Sequence, residues 1–104
     1  MDAVCSLPTL DSLRQYVHHT LCSHDGLDPE QTPLCEQLLV RSHRVCGMQF
    51  EIRGPRHVYT QAIWAGEENR ILFYDSLGQR FAQTVLSEAP DPRQLAVTRQ
   101  PQRL

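Results

Sequence analysis

The residues from Gly47 to Leu86 constrain the fold most, because four apolar-rich runs follow one another there with turn-forming residues between them. Met48, Phe50 and Ile52 alternate with Gln49, Glu51 and Arg53, the period of a strand with one face on a core. Gly54-Pro55 turns the chain. The second run, His57 to Ala65, sets Thr60, Ala62 and Trp64 on one side and Tyr59, Gln61 and Ile63 on the other. A polar turn, Gly66-Glu67-Glu68-Asn69, leads into Arg70-Ile71-Leu72-Phe73-Tyr74. In Asp75-Ser76-Leu77-Gly78 aspartate stands first and glycine fourth, the preference of a type I turn followed by a bulge. The last strand is expected from Gln79 to Leu86.

Before this stretch the apolar spacing changes to a helical one. Thr9 is a candidate N-cap, Asp11 suits the first turn, and Leu10, Leu13, Val17 and Leu21 make one stripe that ends at Gly26. A second helix is expected with Thr32 as cap and Pro33 at its first position, burying Leu34, Cys35, Leu38, Leu39, Ser42 and Val45 and stopping at Gly47. Two helices joined by a short polar connection form an antiparallel hairpin. The expected fold is therefore α+β, an N-terminal helical hairpin packed on one face of a four-stranded antiparallel β-meander. It occupies residues 1–86 as a single domain, and residues 87–104 form a proline-containing tail with a short helix from Asp91 to Ala96.

A 104-residue chain suits one domain that buries roughly two thirds of its unfolded surface. A net charge of -2 argues against a general binder of phosphate backbones, so nucleic acid is not an expected partner. Met1 to Leu10 has neither a basic nor an apolar leader segment, and no run is long enough to cross a bilayer. The expectation is a cytoplasmic protein, without a membrane partner, whose Cys5, Cys22, Cys35 and Cys46 are thiols. In an oxidising compartment a helical hairpin would pair Cys22 with Cys35 and Cys5 with Cys46.

If helices cover the side holding Met48, Phe50, Ile52, Ala62, Trp64, Ile71 and Phe73, with Phe81 and Val85 from the last strand, the second side carries Tyr59, Ile63, Leu72, Tyr74, Ala82 and Leu86. So apolar a side implies an interface, either with a second copy in a homodimer or with a partner protein, unless the tail folds over it through Leu95 and Val97. The hairpin end gathers polar groups. Arg53, Arg56, His57, Asp75 and Arg80 stand there with His24, Asp25 and Asp28, a rim able to hold a carboxylate or phosphate.

Other chemistry is weaker. His18, Cys22 and Cys35 form the one metal-ligand trio the hairpin allows, without a standard spacing; His43 and Cys46 fall at the other end. Cys46 with His43, and Ser76 with Asp75 and His57, contain the residue types of a nucleophile and its base but no strained nucleophile turn. No phosphate loop or dinucleotide fingerprint is present, so no cofactor is expected. Two readings follow: a non-enzymatic protein-interaction or regulatory module using the second sheet face, and a small ligand- or anion-binding protein, catalytic or not, using the rim.

Overall fold

The computed structural model describes residues 2–55 and 59–92. A first strand, β1 (Asp2–Ser6), leads into helix α1 (Leu10–Asp25). Five strands follow: β2 (Cys35–Arg41), β3 (Arg44–Arg53), β4 (Tyr59–Ala65), β5 (Arg70–Tyr74) and β6 (Arg80–Glu88). They form one six-stranded sheet in the order β1-β6-β5-β4-β3-β2. β1 runs parallel to β6, and every other pair is antiparallel. The expected helical hairpin on a four-stranded antiparallel meander is thus corrected to one helix on a six-stranded mixed sheet.

The missing second helix is a strand. β2 pairs along its whole length with β3, and Ser42 and His43, both at positive φ (54° and 65°), make the two-residue turn between them. Positive φ at both central positions defines a type I′ turn, which usually carries Asn-Gly. Ser-His gives no such signal, and Leu38-Leu39-Val40 fits a helical period as well as a strand's. Thr32 and Pro33 lie in the connection instead; Thr32 is buried, and its carbonyl accepts from His18 Nε2 at 2.6 Å.

The first helix forms where its caps dictate. The Thr9 hydroxyl accepts from the Ser12 amide at 3.1 Å, and the Ser12 hydroxyl oxygen accepts from the Thr9 amide at 3.2 Å, a reciprocal cap. At the other end Gly26 takes φ 68°, and the Leu27 amide donates to the Cys22 carbonyl at 2.8 Å, the Schellman arrangement. Leu13, Val17 and Leu21 then press onto Met48, Phe50, Ile52, Ala62 and Trp64, all fully buried. The indole N–H of Trp64 has no hydrogen-bond partner among the described residues. That costs about 1–3 kcal/mol, less than the roughly 5 kcal/mol that burying about 200 Å² of ring supplies.

The last strand departs from simple alternation. Tyr74 pairs with Arg80 but Phe73 pairs with Ala82, so Phe81 is the extra residue of a bulge. Phe81 stays on the helix side, against Phe73 at 5.9 Å, and Ala82, Thr84 and Leu86 join it there. The expectation that Ala82 and Leu86 lie on the second face and Val85 on the covered one is corrected for this reason; Leu86 is only 4% exposed, and Val85 stands on the far side. β6 also runs on to Glu88, past the expected boundary at Leu86. Of the tail helix expected from Asp91 to Ala96 only the first two residues are described, and Leu95 and Val97, with their covering role, lie outside the described residues. No helix among the described residues is long and apolar enough to cross a membrane.

Candidate binding groove

One helix cannot roof this sheet. Six strands about 4.8 Å apart span roughly 24 Å, whereas a helix with its side chains is about 10 Å across. α1 lies over β3 and β4. Its flank therefore looks down on the uncovered part of β5, β6 and β1.

A cavity of about 420 Å³ fills that angle. Tyr16, His19, Thr20, Ser23 and His24 line it from the helix, at the spacing that places residues on one flank. Phe73, Phe81, Ala82, Thr84 and Ala3 line it from the sheet. Its walls are aromatic. Tyr16 meets Phe73 edge-on at 6.3 Å between ring centroids, and His24 stacks on Phe81 at 3.7 Å with the rings 12° apart. The bulge sets this geometry, because it keeps Phe81 on the helix side next to Ala82.

Polar side chains line the groove too: His19, Thr20, Ser23 and His24 from the helix, and Gln83 and Thr84 from the sheet. The Tyr16 hydroxyl and Thr84 Oγ1 are hydrogen-bonded at 2.8 Å, and burial of that phenol raises its pKa. Thr20 donates its hydroxyl to the Tyr16 carbonyl at 2.8 Å, leaving its oxygen free to accept. Among the described residues no carboxylate or arginine lines the cavity. A flat, mainly apolar group suits such walls, and a free cation would lose hydration without gaining a counter-charge from them.

The residues expected for function are placed as follows. Tyr59, Ile63, Leu72 and Tyr74 do share the face opposite the helix, each half-buried. Register sets Gln83, Leu72, Ile63, Gln49 and Gln37 in one row across that face, so amides flank its apolar centre. Gln49 donates to Gln61 at 2.7 Å. Tyr59 donates to Glu51 at 2.7 Å, and this bond to a carboxylate raises the tyrosine's pKa.

Of the rim, Arg53, Asp75 and Arg80 are described. Arg53 pairs with Glu51 at 3.1 Å and lies over the Tyr59 ring. Asp75 Oδ1 is held inside its own turn by the amides of Leu77 and Gln79, both at 2.9 Å. Arg80 is exposed at the start of β6, and Arg56 and His57 lie outside the described residues.

His18, Cys22 and Cys35 stay apart. Cys22 is in the core under α1, where burial first and Asp25 and Asp28 second raise its pKa, while Cys35 is exposed on the outer strand β2. No group of three metal-competent side chains occurs among the described residues. The nested cysteine pairing is corrected too. Cys5 on β1 and Cys46 on β3 are four strand spacings apart, about 19 Å.

Sequence reasoning missed the groove because its helix flank is built from Tyr, His, Thr and Ser, which read as a solvent face. The usable signal was Tyr16, Thr20 and Ser23 recurring one helical turn apart. Compared with known protein families, with curated proteins and with solved structures, the chain matches none of them.

Proposed function

We propose that this protein is a non-catalytic binding module that takes a flat, largely apolar group into the groove between α1 and β5-β6-β1. The observation carrying this reading is a cavity of about 420 Å³ walled by Tyr16, Phe73, Phe81 and His24 and lined, among the described residues, by no carboxylate or arginine. Its volume is within the range of small-molecule sites, about 300–1,000 Å³. Calorimetric titration with indole tests it. Saturable binding to the wild type that disappears in Ala82→Phe, which fills the groove floor, is the expected result; equal binding to both proteins would contradict it.

A second reading, self-association through the opposite sheet face, is favoured by the shared exposure of Tyr59, Ile63, Leu72 and Tyr74 on a face that no described element covers. Sedimentation tests this one. It requires a dimer that Leu72→Glu returns to monomer.

A further inference from the structure

β1 borders the groove and is one of the sheet's two outer strands, so among the described residues one of its edges carries no ladder. The Cys5 carbonyl accepts from the Ser87 hydroxyl at 3.2 Å and therefore faces β6. Alternation along a strand then turns the Val4 amide and carbonyl outward, away from the sheet. The two faces of this edge differ usefully. Ala3 lines the groove, whereas Val4, 73% exposed, stands on the opposite face beside its register partner Val85, 41% exposed.

We propose that the β1 edge and the groove together dock an extended peptide segment of a partner protein, which adds to the sheet as a further strand. The inference rests on the groove reading and names its ligand as a side chain carried by a peptide. In antiparallel addition, the peptide residue opposite Val4 exchanges both main-chain hydrogen bonds with it, and its side chain covers Val4 and Val85. The residues on either side of it face the groove, where one aromatic side chain enters between Tyr16 and Phe81. The segment this favours is aromatic and β-branched in alternation.

Charge selects a foreign peptide over a second copy. Asp2 is exposed at one end of β1, and at the other Ser6 donates to Glu88, so acid stands at both ends of an uncharged centre. Basic residues flanking the peptide core suit these ends. Two copies paired antiparallel about Val4 would instead bring Asp2 of each against the Ser6-Glu88 pair of the other, a like-charge contact. The opposite edge is better guarded. On β2, Glu36 points toward the helix and binds Arg14 at 2.7 Å, and Arg41 is exposed at its end; inward charge and an edge arginine are common defences against strand addition.

The test uses the whole protein and the peptide acetyl-Arg-Thr-Phe-Val-Thr-Arg-amide, with indole as a separate probe of the groove. Amide shifts should move at Ala3, Val4, Tyr16 and Phe81. Affinity should fall about tenfold or more when the valine nitrogen of the peptide is methylated, a loss matching one hydrogen bond. Val4→Pro, a change edge strands tolerate where the N–H points outward, should give a similar loss while indole binding stays at the wild-type level. The methylated peptide leaves the protein untouched, so the result does not depend on the variant's folding. Peptide binding indifferent to both changes, shifts centred on β2, or self-association abolished by Val4→Pro would each overturn the proposal. Indole binding without peptide binding overturns the strand docking alone; no indole binding to the wild type overturns the groove reading with it.

Discussion

The helix-bearing side of the sheet has two unlike halves. Over β3 and β4, Met48, Phe50, Ile52, Ala62 and Trp64 are sealed under Leu13, Val17 and Leu21. Over β5, β6 and β1, Phe81 and Ala82 are only half-buried, and a cavity stands beside the helix. The residues are of similar kind in both halves. What differs is the roof, since a helix about 10 Å wide covers roughly two strand spacings and no more. On the proposed reading, stability rests chiefly on the sealed half and binding on the open one.

Substitutions in the two halves should expose that separation. Trp64→Ala is expected to have the largest effect, about 3–5 kcal/mol of lost stability in urea denaturation, because its cavity would open in the sealed half. Gly47→Ala comes next, at about 1–3 kcal/mol. A Cβ there would stand 1.9 Å from the Trp64 carbonyl oxygen, and backbone cannot step aside cheaply. Asp25→Ala removes the partner of the fully buried Thr60 hydroxyl and should cost a similar 1–3 kcal/mol, roughly. Phe81→Ala, in the open half, should cost only about 1–2 kcal/mol, since its ring is already part-exposed, yet abolish indole binding. A loss for Phe81→Ala equal to that for Trp64→Ala would erase the distinction.

The smallest effect is alkaline. The Cys22 thiol is held above its ordinary value of 9.0 by burial, so the folded state keeps a proton that the unfolded chain releases. Its contribution is whole below that value and is lost as pH rises toward the folded pKa. Denaturation midpoints should decline above pH 9.0, and Cys22→Ala should flatten the first part of that decline. Tyr16, raised from 10.0 chiefly by burial, extends the loss at higher pH.

Legibility in the sequence followed how local the determinants are. Thr9, Asp11, the Leu10-Leu13-Val17-Leu21 stripe and Gly26 mark the helix within one short window, and the Met48-Phe50-Ile52 alternation and the Asp75 to Gly78 turn are equally self-contained. β2 was hidden because Ser42-His43 adopts a conformation its residue types rarely signal and because Leu38-Leu39-Val40 fits either period. β1 was hidden because it is a strand only by pairing with β6, more than seventy residues away in the chain. The groove followed both omissions. Its position depends on the number of strands beneath the helix and on the bulge at Phe81, and neither quantity is a property of any single segment.

The central claim is that the uncovered half binds and the sealed half does not. Intermolecular nuclear Overhauser effects from indole to the protein's side chains test it most directly. Contacts to Tyr16, Thr20, Phe81 and Ala82, with none to Leu13, Val17 or Met48, are predicted. Contacts confined to Tyr59, Ile63, Leu72 and Tyr74 on the other face, or spread evenly over the surface, would contradict it.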